Sequence, residues 1–196
     1  MKVSREQAAE NRERVVKVAA RLYRERGFDG VGVADIMKAA GLTHGGFYGQ
    51  FASKEELMTE AGARALTEAN TAWQRLLEAS PEDPLGTIAA AYLSPRHRDN
   101  PGRGCVLAAL GADASRGPAP IRQVFTEGFR TLLAVLVSVM PGRSKAAKRD
   151  KALVAYAGMV GALVLSRTVD DSALSEEILL AVLRSLPTSA ANSPAP

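Results

Sequence analysis

Cysteine is almost missing from this chain: Cys105 is the single one in 196 residues. No intrachain disulfide can form, so the fold has to rest on its core, as expected of a protein kept in a reducing compartment. Histidine is nearly as scarce. His44 and His97 stand far apart and, with one cysteine, offer no metal-ligand spacing, so neither a metal nor a cofactor is expected. Long hydrophobic runs are also absent. The longest charge-free apolar stretch, residues 152–166, falls short of the roughly 20 residues a membrane helix needs and contains Gly158 and Gly161. The opening Met1-Lys2-Val3-Ser4-Arg5 leads into charged sequence without a secretory apolar core, so a soluble cytoplasmic protein is expected, without a membrane partner. No stretch alternates with period two, which argues against strands. There is no Ser-His-Asp order, no phosphate-cradling glycine loop and no dinucleotide fingerprint, so an enzyme is not expected.

What remains is rich in helix formers. Hydrophobic residues make up 46% of the chain, enough for a real core, while aromatics are only 5%. The net charge of +4 permits nucleic acid without requiring it. Ser4-Arg5-Glu6-Gln7 reads as a capping box, followed by Val15, Val18, Ala19, Leu22 and Tyr23 on one helical face and Gly27 as a stop. A short helix is predicted over residues 33–40 and a third over residues 43–51. A long fourth helix starts at the box Ser53-Glu56 and ends before Pro81. Further helices are predicted over residues 84–93, 105–114, 120–140, 144–168 and 172–186. Residues 94–104, with Pro95, Pro101, Gly102 and Gly104, read as a basic, solvated loop around Arg96, His97, Arg98 and Arg103, with the steering of an anionic ligand or DNA as the alternative. The fold class expected is all-α. An N-terminal helix-turn-helix domain (1–52) precedes a C-terminal helical bundle (53–186), then a disordered tail (187–196).

The stretch "GLTHGGFYGQFASKEEL", residues 41–57, is a poor helix by propensity: it carries Gly41, Gly45, Gly46 and Gly49. Two short helices joined by Gly41-Leu42-Thr43 suit helix-turn-helix geometry, in which the second helix enters the major groove by its N-terminal residues. Thr43 is placed to cap that helix. Gly45 and Gly46 let backbone approach DNA closely, Phe47 and Phe51 hold the segment from behind, the Tyr48 hydroxyl reaches phosphate, and Lys54 clamps the DNA backbone.

The wider stretch "VADIMKAAGLTHGGFYGQFASKEELM" resembles the DNA-binding signature of the TetR family of transcriptional regulators. The resemblance is carried by Asp35-Ile36, Ala40-Gly41-Leu42-Thr43, Phe47-Tyr48, Phe51 and Ser53-Lys54-Glu55-Glu56-Leu57, with Gly27-Phe28 as the first helix's exit. It covers about residues 12–58; the rest of the chain agrees in length and helical pattern. It implies a homodimeric repressor that binds a palindromic double-stranded operator and is released by a small-molecule inducer. It also implies that Thr43 touches phosphate or a base, that His44, Gly45 and Gly46 lie over the groove, and that Tyr48 and Lys54 bind phosphates. This chain departs from the family pattern at Gly32, where a hydroxyl residue is common, and at Gly49 and Gln50, where larger side chains are common. Recognition therefore falls on His44, Tyr48 and Gln50, and Gly49→Ala is expected to stabilise the fold if residue 49 faces solvent.

In the C-terminal half, Ala155, Gly158, Ala162 and Ser166 fall on one helical side, and with Ile178, Leu179 and Val182 they are the expected dimer interface. Trp73, Tyr92, Cys105, Phe125, Phe129 and Met159 are the candidate ligand-binding residues. Two alternatives stand beside the ligand-responsive repressor. One is a transcription factor whose signal is oxidation or alkylation of Cys105, which follows Arg103-Gly104 at a helix start. The other is an architectural DNA binder, which would need a broader basic surface than the N-terminal sixty or so residues show.

Overall fold

Helix starts in the computed structural model, which describes residues 4–187, fall largely where short polar side chains stand. Ser4 Oγ accepts from the Gln7 amide (3.1 Å), Ser53 Oγ from Glu56 (3.1 Å) and Ser144 Oγ from Ala147 (3.1 Å). Asp83 accepts from Gly86, and Asp171 from Ala173 and Leu174. Each bond satisfies an amide that a helix's first turn leaves without a partner. The reciprocal half of the expected capping boxes differs. Gln7 turns its amide to Glu10 and Asn11, and Glu56 accepts from Ala52 rather than from the cap itself.

The described residues form nine α-helices and no strand. They are α1 (Arg5–Arg26), α2 (Val33–Ala39), α3 (Lys54–Ala79), α4 (Pro84–Tyr92), α5 (Pro95–Arg98), α6 (Val106–Arg116), α7 (Ala119–Val139), α8 (Lys145–Thr168) and α9 (Ser172–Ser185). The tail expected over residues 187–196 lies outside the described residues beyond Pro187. Among the described residues no helix is long and apolar enough to cross a membrane. Helix α3 joins the two halves: it packs on α1 at its start and along α7 further on. Helices α7, α8 and α9 then stack in sequence. Val15, Ala19, Tyr23, Ile36, Met37, Phe47 and Phe51 are buried at the N-terminal end, and Ile88, Ile121, Leu133, Leu136, Met159 and Leu163 in the bundle. Each large apolar side chain among them contributes about 1.5–3 kcal/mol of hydrophobic stabilisation. Ion pairs line the α1–α3 seam, where Arg12 meets Glu56 and Glu60, and Arg64 meets Glu13 and Glu68.

Three expectations are corrected here. Residues 43–51 are not an α-helix: a 3-10 turn, His44–Gly46, is followed by a single turn. Residues 94–104 are not a solvated loop. They fold into α5 and a 3-10 turn, Pro101–Arg103, and three elements are fastened to them. From α8, Arg167 donates to the carbonyls of His97 and Arg98 (both 2.9 Å), while Arg98 reaches Ser175 Oγ on α9 (3.0 Å). From α1, the buried Arg24 donates Nε to the Gly102 carbonyl (2.9 Å). The His97 ring bridges Tyr92 O (2.6 Å) and the Cys105 amide (2.9 Å). Because Nε2 accepts from Cys105, Nδ1 carries the proton; burial, with Arg167 adding to it, lowers the His97 pKa, opposed by the Tyr92 carbonyl, and favours this neutral form. Short helices keep carbonyl lone pairs available to other donors, and Arg24 and Arg167 find their acceptors there. Third, the small-residue stripe on α8 faces inward. Ala155, Ala162 and Ser166 are buried within the chain, as is Leu179 of α9, and a Cβ on Gly158 would meet Val182 at 3.6 Å. The Ser175 hydroxyl donates to Ser166 O at 2.6 Å, so the small residues close the joint between α8 and α9 of one chain.

Candidate nucleic-acid interface and enclosed cavity

Helix α2 ends in a Schellman turn. The Leu42 amide donates to Met37 O (2.9 Å) and the Gly41 amide to Lys38 O (3.0 Å), with Gly41 at φ +71°. Glycine is required at this position, because the left-handed region strains other residues. The turn aims the chain into residues 43–51. There the amides of Gly46, Phe47 and Gln50 reach back three residues, and only Phe51 makes an i−4 bond, to Phe47 O (2.9 Å). Thr43 stands at the cap position as expected, but its hydroxyl makes no capping bond.

Packing holds what the backbone ladder does not. Phe47 and Phe51 are buried and stacked, with ring centroids 5.3 Å apart, and the Arg12 guanidinium lies 4.3 Å from the Phe51 ring centre. Their front is different. Tyr48 is 70% exposed, with its ring edge-on to Phe47 and to His44, and His44 and Gly45 are exposed beside it. Gly45, Gly46 and Gly49 all have ordinary negative φ, and a Cβ would meet nothing within 4 Å at Gly45, and nothing nearer than 3.6 Å at Gly46 or 3.7 Å at Gly49. The fold therefore does not need these three glycines. Gly49→Ala is expected to raise stability by about 0.4–1 kcal/mol through the unfolded chain's lost freedom; a clear fall in the denaturation midpoint would contradict this placement.

The other expected contacts vary in how free they are. Gly32 caps α2 at the surface, its amide donating to Asp35 (3.4 Å). Gln50 is half-buried, and its side-chain oxygen is enclosed with no hydrogen-bond partner among the described residues. Lys54 is also half-buried and donates one Nζ hydrogen to Phe28 O (2.7 Å). It buttresses the first helix's exit and keeps two donors for other acceptors.

A cavity of about 680 Å³ lies in the bundle among α3, α4, α5, α6 and α8. Of the six candidate ligand residues, Trp73, Tyr92 and Cys105 line it. Phe125, Phe129 and Met159 do not: Phe125 packs over Gly62, Phe129 stacks on Tyr156 (5.2 Å), and Met159 is fully enclosed. Sequence reasoning missed Tyr156 and Arg24, which also line the cavity, and reached His97 and Arg103 only as members of a basic loop that could steer an anionic ligand or DNA. Tyr156 sits in an apolar helix where nothing separates a wall residue from a core residue. His97 and Arg103 lie in the stretch read as a solvated loop. Among the described residues no group of three or more His, Cys, Asp or Glu side chains is placed to hold a metal.

A helix-turn-helix head with a bare, glycine-lined front is carried on a helical bundle that holds an open cavity. Residues 15–61 match the family described as bacterial regulatory proteins, tetR family. The chain is 36% identical over 91 residues to the HTH-type transcriptional regulator TtgR of Pseudomonas putida, covering 46% of this chain and 43% of that protein. It is 32% identical over 87 residues to the HTH-type transcriptional regulator AcrR of Shigella flexneri, covering 43% and 40%. These alignments thus span about two fifths of the relatives' length. The fold extends further: a TetR-family transcriptional regulator from Agrobacterium tumefaciens superposes with a TM-score of 0.75 at 21% identity, covering 91% of this chain and 98% of that one.

Proposed function

We propose that this protein is a DNA-binding transcriptional regulator, a homodimeric repressor that reads a palindromic operator and leaves it when a small molecule fills the bundle cavity. The observation that carries this reading is the contrast between the two sides of residues 43–51. Phe47 and Phe51 fix the segment from behind, while its front carries glycines the fold does not need and an exposed Tyr48. Close backbone approach to a duplex accounts for such bareness, with His44 and Tyr48 placed for base and phosphate contact and Thr43, Lys54 and Gln50 flanking them. Footprinting on DNA upstream of the protein's own and neighbouring genes tests it. A protected palindrome that weakens in His44→Ala and Tyr48→Ala is the expected result; equal binding to all sequences would sink the reading and favour an architectural role.

Dimerisation is assigned to the outer side of α8. Val154, Ala157, Gly161, Val164 and Leu165 repeat along the side opposite the buried one, with Val154 75% and Leu165 56% exposed. A helix that is apolar on both sides needs a second cover, and a second copy supplies it by twofold symmetry. Leu165→Asp is expected to shift the protein to monomer in sedimentation and to abolish tight operator binding; an unchanged dimer would move the interface elsewhere.

Cys105 favours a second reading. It stands at the N-cap position of α6 without a capping bond and lines the cavity, so an electrophile entering there meets its thiol. Release of operator by an alkylating agent in wild type but not in Cys105→Ser is the result that would support it.

A further inference from the structure

The cavity's lining combines aromatic rings with arginines. At one side the rings of Trp73, Tyr92 and Tyr156 form an aromatic corner, with Trp73 5.4 Å from Tyr156 and 6.3 Å from Tyr92 between centroids. Tyr92 and Tyr156 are both buried; the Tyr156 hydroxyl has no hydrogen-bond partner among the described residues, and the Tyr92 hydroxyl has only the Cys105 thiol beside it. The Cys105 thiol, beside both, is a weak acceptor. Burial raises the pKa of both phenols, so each remains a protonated donor. Both residues line the cavity with their hydroxyl oxygens enclosed in its wall, and a ligand oxygen to which that wall yields would relieve the cost of an unpaired buried donor.

The lining is also cationic. Arg75, Arg96 and Arg103 line the cavity from exposed positions, and none has an ion-pair partner among the described residues. The acidic group in the lining, Glu68, is already held by Arg64 at 2.8 Å and Arg24 at 3.8 Å. Arg24 in turn is engaged by Gly102 O. The charge left over at the mouth is therefore positive.

We infer that the cavity takes a planar aromatic carboxylate of two or three rings, with its rings against Trp73, Tyr92 and Tyr156, an acceptor oxygen at the tyrosine hydroxyls, and its carboxylate facing Arg75, Arg96 and Arg103. This rests on the reading of the cavity as an effector site. Its volume of about 680 Å³ lies within the usual range for drug-sized ligands, so a single-ring acid would leave much of it unfilled. Flat rings match the aromatic corner through edge and stacked contacts. Guanidinium groups recognise carboxylates through paired hydrogen bonds, and the mouth's positive field draws anions and repels cations.

The probe is 6-methoxy-2-naphthoic acid, compared with its methyl ester and with 2-(aminomethyl)naphthalene. Binding is read by calorimetry and by quenching of Trp73, the only tryptophan, which reports on the cavity wall directly. The acid is expected to bind about tenfold or more tighter than the ester, the difference shrinking as salt screens the mouth. The amine is expected to bind weakest. In the triple variant Arg75→Gln, Arg96→Gln, Arg103→Gln the acid falls to the ester's affinity while the ester is unchanged. Tyr156→Phe weakens acid and ester alike by several-fold. Failure of the acid to bind, or ester or amine binding as tightly as acid, overturns the assignment. Operator affinity measured with the same compounds separates the two readings. If the acid binds as described and the operator complex is unaffected, the ligand class stands and the effector role falls. If the ester or amine releases operator better than the acid, the effector role stands and the ligand class is overturned.

Discussion

Phe47→Ala is expected to cost about 3–5 kcal/mol, the usual loss when a buried phenylalanine is cut to a methyl. The consequence here exceeds that of a similar cut in the bundle. Between Gly41 and Ser53 the described backbone makes one i−4 bond and a few i−3 bonds, and Gly45, Gly46 and Gly49 lower the segment's helical propensity further. Phe47, fully enclosed, and Phe51, stacked on it, are its main attachments to α1 and α2. Without Phe47 the segment has little of its own to keep it in place, and Tyr48 and His44 lose their fixed position. Chemical denaturation reads the stability loss, hydrogen exchange shows residues 43–51 opening well before α7 and α8, and operator binding vanishes. A stability loss under about 1 kcal/mol would show that Phe47 is not the anchor.

Gly45→Leu is the complementary change, with its large effect on the other side of the segment. A Cβ at residue 45 meets nothing within 4 Å and the backbone there has negative φ, so the folded protein accommodates the side chain. Thermal stability should hold within the roughly ±0.5 kcal/mol typical of surface substitutions. Operator affinity should fall by about a hundredfold, equivalent to roughly 3 kcal/mol of lost close approach. Titration of labelled operator at fixed salt makes the measurement, since phosphate contacts make affinity salt-dependent. Retained affinity in the leucine variant would show that this glycine does not face the duplex. Phe47→Ala fails by unfolding the head and Gly45→Leu by blocking it, so the pair separates anchor from reading surface.

Much of the head can be read in advance because its signals are local. Gly41 marks a left-handed turn, Ser53 a helix start, and the aromatic spacing a buried back, and none of these depends on a distant residue. The helix expected over residues 43–51 does not form, for a reason equally physical. The aromatic period is helical, but three glycines withhold the propensity that would complete the ladder, and the chain settles into a 3-10 turn and one further turn. The cavity is legible only in part. Residue type picks out Trp73, Tyr92 and Cys105, but it also picks out Phe125, Phe129 and Met159, and by itself it cannot tell a wall from a core.

The basic stretch of residues 94–104 shows the limit most clearly. Three arginines and a histidine around two prolines read as solvent-facing in one dimension, which holds for Arg96 and Arg103 but not for His97 and Arg98. Their partners come from elsewhere: Arg167 from α8, Ser175 from α9, and Arg24 from α1 to the Gly102 carbonyl. The small-residue stripe on α8 misleads in the same way, since spacing fixes which residues share a side but not which neighbour covers it. By itself, the sequence determined most of the helices, their caps, the turn at Gly41 and the family signature, because each is written in residues a few positions apart. Only the tertiary structure decided which side of α8 is covered within the chain, which aromatics border the cavity, and where the arginines find acceptors. Those depend on side chains that meet across long stretches of sequence, as Arg24 meets Gly102 and Arg98 meets Ser175, and no local pattern encodes the encounter.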